Sequence, residues 1–139
     1  MENFNEDLII NKAASEILQI SKNMNKSPYE ILKEAYKRTG VYQPKFKSLG
    51  VPRYIAYSLE EKFLNIDKGT LLIFDTENKD IENFQLYLIK FNLFDKTHEI
   101  TAMYDVNNNG FIINNEGFIL EKAEEIEVIG KCIKMYSWF

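Results

Sequence analysis

The amino-acid sequence predicts an α+β fold, with an N-terminal two-helix segment followed by a mostly antiparallel, curled β-sheet domain. Apolar residues recur at helical spacing over residues 7–36, and short β-branched and aromatic runs divided by turn residues follow residue 58. The length of 139 residues, 45% of them hydrophobic, is sufficient to form one domain with a buried core. We therefore divide the chain into a helical segment with a packed connector, residues 1–57, and a β-rich domain, residues 58–139.

Two helices are predicted before the β-rich domain. Apolar residues near helical spacing predict the first helix from Asp7 to Met24. The second begins after Ser27, which is a typical N-cap residue, with Pro28 at the first helical position and Glu30 completing a capping box. Aromatic residues are frequent between this helix and residue 58, and they favour a packed connector over a flexible linker.

Five strands are predicted in the β-rich domain. They cover residues 70–75, 84–91, 99–104, 110–113 and 126–136. Each is a short run of β-branched and aromatic residues, and clusters rich in Asn, Asp and Gly separate them. Short strands at this spacing are typical of a curled antiparallel sheet or a partly open barrel.

Four runs stand in a characteristic order in this domain. They are Ser58–Asp75, Gln85–Phe91, Glu99–Met103 and Ile126–Ile133. Their order resembles the C-terminal regulatory domain of LexA and phage CI-type repressors over residues 55–139. In that family a Ser begins the first segment, a Gly followed by Asp opens the first strand, a Lys base lies on a later strand and a Val-Ile-Gly run starts the last strand. The resemblance implies a LexA-like fold.

The chemistry of that family is a Ser-Lys dyad, in which a desolvated neutral Lys takes the proton of a Ser that attacks a peptide bond. The resemblance places Ser58 near the nucleophile position and Met103 at the position of the base. A thioether cannot accept that proton, and neither Lys90 nor Lys96 falls at the matching position. The self-cleaving members also cut an Ala-Gly or Cys-Gly bond, and residues 1–57 contain neither dipeptide. We therefore expect no enzyme activity and keep Ser58 as a weak catalytic candidate.

What remains of the resemblance is a non-proteolytic regulator of transcription, related to phages or mobile elements. It implies a homodimer or the binding of another regulator protein. The aromatic tail residues Tyr136, Trp138 and Phe139 are candidates for a dimer interface, where aromatics are enriched, although a buried last strand explains them equally well. An active self-cleaving Ser-Lys protease is the alternative function.

The distribution of charge predicts a further surface. Residues 1–57 hold nine basic and six acidic residues, whereas residues 58–139 hold eight basic and fifteen acidic ones. The basic candidates for binding DNA phosphate are Lys22, Lys26, Lys33, Lys37, Arg38, Lys45, Lys47 and Arg53. A nucleic-acid partner is the second alternative, and a solvated helix face accounts for the same residues.

An EF-hand calcium pattern also occurs in the β-rich domain. Asp105, Asn107, Asn109 and Glu116 stand at the ligand positions and Gly110 at the glycine position. The flanking residues have strand-like rather than helical patterns, and an Asn-Asn-Gly turn explains the same spacing. We therefore predict a β-hairpin here, with no metal and no cofactor.

The single cysteine, the single histidine and the lack of a long apolar run exclude several kinds of site and of protein. Cys132 and His98 are the sole residues of their types, so a zinc site, an internal disulfide or a Ser-His-Asp triad cannot be assembled. Cys132 is expected to be a buried strand residue. No apolar run approaches the length of a membrane span, and the start of the chain is acidic, so we predict a cytoplasmic protein without a membrane partner.

Overall fold

The computed structural model describes residues 6–39, 53–93, 95–121 and 126–138. The α+β order predicted from the sequence is confirmed. The described elements are α1 (Glu6–Met24), α2 (Pro28–Thr39), β1 (Tyr54–Ser58), β2 (Leu71–Asp75), β3 (Leu86–Leu93), β4 (Lys96–Asp105), a 3₁₀ turn (Val106–Asn108), β5 (Gly110–Ile112), β6 (Ile119–Glu121) and β7 (Glu127–Tyr136).

The two helices form as their sequences predict. The Glu30 backbone N–H donates to Ser27 Oγ at 3.3 Å, and the Ser27 N–H donates back to Glu30 Oε1 at 3.3 Å, which confirms the capping box at the start of α2. The inward face of α1 carries Ile10, Ala13 and Ala14, which are buried. Small residues on this face allow close approach, and α2 packs against both α1 and β1.

The seven strands follow the order β1-β2-β7-β3-β4-β5-β6. β3 pairs antiparallel with β4 and with β7, β4 with β5, and β5 with β6. Leu88 faces Gly130 and Ile89 faces Val128, so Ile129 is an extra residue in β7 and forms a bulge. Within the described part of the chain the sheet stays open, with β1 and β6 at its two edges.

Two of these strands were missed by the sequence prediction, which was wrong in counting five. β1 lies in the predicted connector, where the run Tyr54–Ser58 is short but rich in residues that favour strands. β6 has only three residues, Ile119–Glu121, and gains its stability from pairing with β5. The rest of the predicted connector, residues 40–52, lies outside the described residues.

Backbone proximity divides the chain into two compact units. Unit 1 comprises Met1–Ile73 with Met135–Phe139, and unit 2 comprises Phe74–Lys134. The division therefore falls within β2 and β7, whereas the sequence pattern places a boundary between residues 57 and 58. Neither described helix combines the length and hydropathy that crossing a membrane requires.

The core of unit 2 lies on one face of β3, β4 and β5. Its buried members are Tyr87, Ile89, Phe91, Ala102, Tyr104 and Phe111. The first three alternate along β3, as the two-residue period of a strand dictates. The Tyr104 and Phe111 rings meet edge to face with centroids 5.3 Å apart, so the core is organised around aromatic packing.

Candidate functional site

Ser58, the weak catalytic candidate, is the last residue of β1 in unit 1. The chain then turns through a loop that is closed by two backbone hydrogen bonds, from Leu59 N to Thr70 O (3.2 Å) and from Gly69 N to Leu59 O (3.0 Å). The Ser58 hydroxyl is buried and has no hydrogen-bond partner among the described residues. A serine nucleophile needs a base within about 3 Å of its oxygen. No such base is in place among the residues that the structure describes.

Met103, at the position that the resemblance assigns to the base, lies in β4 of unit 2. Its backbone faces Leu86 of β3 and Ile112 of β5, and its side chain is half-buried. Lys90 lies on β3 opposite Glu99, and Lys96 is the first residue of β4. Ser58 and these three candidates thus belong to different units.

The aromatic tail contacts its own chain within unit 1. A Cβ atom added at Gly69 would lie 2.5 Å from Trp138 Nε1, so the indole ring rests directly on this glycine. The Tyr136 hydroxyl donates a hydrogen bond to Asn11 Oδ1 of α1. Tyr136 and Trp138 are both half-buried by these contacts, and Phe139 lies outside the described residues. The dimer role predicted for this tail stays a prediction.

Gly130 of the Val-Ile-Gly run packs in unit 2 against Asp75, the last residue of the run Ser58–Asp75. A Cβ atom at Gly130, in the Val-Ile-Gly run, would lie 2.6 Å from the backbone oxygen of Asp75. Asp75 Oδ1 accepts from Glu77 N at 2.9 Å, and its backbone oxygen accepts from Asn78 N at 3.1 Å. The Asn78 oxygen in turn accepts from Lys131 N at 2.9 Å. Asp75 therefore starts a turn, and Gly130 lacks the side chain that would clash with the backbone of that turn.

A hydrogen-bonded cluster that sequence reasoning missed adjoins this turn. The Tyr87 hydroxyl donates to Asp80 O at 2.5 Å and accepts from Glu82 N at 2.7 Å. Lys131, which faces Tyr87 across the β3–β7 pair, forms an ion pair with Glu82. Tyr87 lies on the core face of β3, and no sequence signal indicated which loop its hydroxyl would bind.

Two pKa values in this cluster are shifted. Burial, opposed by the hydrogen bond from Glu82 N, raises the pKa of Tyr87 above its ordinary value. The hydrogen bond to the Glu82 carboxylate raises the pKa of Lys131, with desolvation opposing it. Both shifts favour the protonated forms, so the cluster holds its protons more firmly than free side chains would.

Three of the basic residues predicted to bind DNA lie in or between the two helices of unit 1, and their DNA-binding role stays a prediction. Lys26 Nζ lies 2.6 Å from Glu34 Oε1, and this hydrogen bond raises the pKa of Lys26. Lys33 Nζ lies 5.6 Å from the centroid of the Tyr29 ring. Lys22 is exposed in the last turn of α1.

Five basic candidates remain. Arg53 lies with its guanidinium carbon 5.0 Å from the centroid of the Tyr54 ring. Lys37 and Arg38 lie in α2. Lys45 and Lys47 lie outside the described residues.

The calcium candidates lie on two successive turns of a β-meander. Asp105 Oδ1 accepts from Asn107 N at 3.0 Å, and Asp105 faces Gly110 in the β4–β5 pair. Asn109 has left-handed backbone angles and accepts from the Tyr104 hydroxyl at 3.3 Å. Glu116 belongs to the next turn, which connects β5 with β6. Strands flank this segment where an EF-hand has helices, and within the described ranges no three His, Cys, Asp or Glu side chains cluster as metal ligands would.

Cys132 and His98 both lie in strands of unit 2. Cys132 is half-buried in β7, where its thiol donates to Lys134 O at 3.4 Å. The His98 ring stacks on Phe91 with centroids 5.3 Å apart. Comparisons of the chain with protein-family models, with curated proteins and with solved structures gave no match.

Proposed function

We propose that this chain is a repressor-type regulatory protein in transcription control that acts by self-association or by binding another regulator and does not cleave itself. The regulatory role comes from the order of motifs between residues 55 and 139, which resembles LexA and CI-type repressors. The observation that carries the non-proteolytic part is the environment of Ser58. Its buried hydroxyl has no hydrogen-bond partner in the described part of the chain, and Met103 replaces the expected base.

The packing of Gly130 on Asp75 supports the repressor-like architecture. Gly130 belongs to the Val-Ile-Gly run and Asp75 ends the run Ser58–Asp75, and these two residues contact each other. Their roles are independent of catalysis, since one relieves a steric contact and the other closes a turn. A domain without the dyad still needs the steric room at Gly130 and the turn at Asp75 in order to fold. This fits a protein that keeps the fold in order to bind a partner.

The experiment is an intact-mass time course of the purified full chain at about pH 9, where a lysine of lowered pKa would be neutral and able to act as base. We expect one unchanged mass over many hours. A Ser58→Ala variant treated in the same way is the matched control. Two complementary fragments from the wild type and none from Ser58→Ala would show that the chain is an active Ser-Lys protease and overturn this function.

Self-association is tested separately by light scattering after size exclusion. We expect a dimer at micromolar concentration. A monomer throughout the accessible concentration range would leave binding of another regulator as the route of action.

A further inference from the structure

The two edge strands of the sheet differ in what packs against them. At one edge α2 packs against β1, whose residues Tyr54, Ile55 and Ala56 are buried. At the other edge lies β6, which pairs with β5 through its inner side, both strands being part of unit 2. No residue in the ranges that the structure describes pairs with the outer side of β6. An edge strand of this kind presents N–H and C=O groups that another strand can bind.

The register of β6 determines which of its backbone groups face outward. The Ile113 N–H donates to Phe118 O at 3.1 Å, so these two residues form a hydrogen-bonded pair just before β6. Hydrogen-bonded and non-hydrogen-bonded pairs alternate along an antiparallel ladder. Leu120 is therefore hydrogen-bonded to β5 as well, whereas Ile119 and Glu121 direct their N–H and C=O groups away from β5.

The side chains along this edge are apolar. Phe118 is 53% exposed, and Ile119 and Leu120 are half-buried. Leu120 packs on the core of unit 2, and Phe118 lies on the same face of the chain, two residues earlier. β6 contains neither proline nor lysine, which are common in edge strands that avoid pairing. The edge thus combines outward-facing backbone groups with an exposed aromatic ring, and both are features of sheet edges that bind a further strand.

An antiparallel copy of β6 is complementary to this edge. About a two-fold axis through Leu120, Ile119 of one copy lies opposite Glu121 of the other, and both residues face outward. Their N–H and C=O groups can then bond each other, and the symmetry repeats these bonds on the other side of the axis. The two Leu120 residues meet as a non-hydrogen-bonded pair, in which side chains approach most closely. Phe118 lies diagonal to Leu120 of the other copy, within reach of an aromatic ring.

We propose that β6 pairs with β6 of a second copy of this chain, antiparallel and centred on Leu120, so that the sheets of the two copies become continuous. This inference rests on the self-association proposed above and assigns it to one strand. The contact excludes water from Phe118 and Leu120, and it provides hydrogen-bond partners for the outward groups of Ile119 and Glu121.

Amide hydrogen exchange of the full chain, resolved to single residues, tests this pairing directly. In dilute, monomeric protein the Ile119 and Glu121 amides should exchange freely with solvent. At a concentration where the chain is a dimer, they should exchange at least about tenfold more slowly. Leu120 is the internal control, because its amide bonds to β5 at both concentrations. Equal exchange of Ile119 and Glu121 in monomer and dimer would overturn the proposal.

Two serine variants, compared by sedimentation velocity, separate this edge from the rest of unit 2. Phe118→Ser removes the ring beside the two-fold axis and should raise the Kd of dimerisation at least about tenfold. Phe84→Ser is the matched control, since Phe84 is 57% exposed in the same unit, in the turn before β3, where its φ is +61°. This control should leave the Kd unchanged, and equal effects of the two substitutions would contradict the assignment to β6.

Ile119→Pro removes an outward N–H that the pairing with β5 does not use. Proline is accepted in edge strands at such positions, so the dilute variant should match the wild type in its circular dichroism spectrum and urea midpoint. Its dimerisation should still weaken at least about tenfold, since each copy loses a donor. A folded Ile119→Pro chain that dimerises like the wild type refutes the pairing of β6 alone. A wild-type chain that is monomeric at every concentration refutes self-association and this assignment together.

Discussion

Buried hydroxyl groups in the two compact units differ in whether they have hydrogen-bond partners. In unit 2 the hydroxyl of Tyr87 both donates and accepts, binding Asp80 O and Glu82 N. In unit 1 the hydroxyls of Ser21 and Ser58 are buried, and neither has a partner among the described residues. A buried hydroxyl without a partner costs about 1–3 kcal/mol. The Tyr87 hydroxyl of unit 2 therefore fixes a loop, whereas the Ser21 and Ser58 hydroxyls of unit 1 are buried at a cost in free energy.

The two units also differ in what lies against a closely packed glycine. Gly130 in unit 2 lies against backbone, since an added Cβ would be 2.6 Å from Asp75 O and 2.9 Å from Asp75 C. Gly69 in unit 1 lies against the Trp138 side chain and has a φ of +85°. A side chain can rotate aside, but the backbones of two paired strands cannot. A side chain added at Gly130 is therefore harder to accommodate than one added at Gly69.

The largest effect is expected for Gly130→Ala. The added methyl group would overlap the Asp75 carbonyl, so β2 and β7 must separate, and the free energy of unfolding should fall by about 3 kcal/mol. Gly69→Ala should cost only about 1–2 kcal/mol, chiefly for its left-handed backbone, because the Trp138 indole can shift. Urea unfolding followed by circular dichroism measures both. A larger loss for Gly69→Ala than for Gly130→Ala would reverse the comparison.

The next effect concerns the Tyr87 hydroxyl. Tyr87→Phe leaves Asp80 O and Glu82 N without their partner, so it should lower the free energy of unfolding by about 2 kcal/mol. Tyr29→Phe in unit 1 is the matched control. Its hydroxyl donates to Glu60 at an exposed position, where water can replace it, and the expected loss is below about 0.5 kcal/mol. Similar losses for the two variants would show that the Tyr87 cluster is not structural.

The cluster also predicts how stability depends on pH. The pKa values of Tyr87 and Lys131 are raised in the folded protein, so the folded state keeps these protons at a pH where the unfolded chain has begun to lose them. Their contribution is complete below about pH 10 and is lost as the pH rises through the folded values. Tyr87→Phe should therefore flatten the alkaline loss of stability, measured as the urea midpoint against pH. An equally steep loss in both proteins would place its origin elsewhere.

How much the sequence could predict depended on the range of the interactions. The capping box of Ser27 and Glu30 and the hairpin at Asp105 are local, so residue type and spacing were enough. The strand β6 was missed because three residues carry too little pattern, and its pairing with β5 makes it a strand. The partner of the Tyr87 hydroxyl could not be predicted at all, since it depends on the path of a loop that no local pattern specifies. Likewise, nothing in the sequence indicated that Phe84 adopts a left-handed backbone.

The smallest expected effect concerns the free-energy cost of the buried Ser21 hydroxyl in unit 1. Ser21 is fully buried in α1, and Ser21→Ala removes a hydroxyl that lost its water on folding, so the free energy of unfolding should rise by about 1 kcal/mol. Part of that gain would come from the higher helix propensity of alanine, about 0.5 kcal/mol. Ser15→Ala isolates this part, because Ser15 is exposed in the same helix. Ser21→Ala should exceed Ser15→Ala in urea unfolding, and an equal gain would mean that the Ser21 hydroxyl is satisfied in solution.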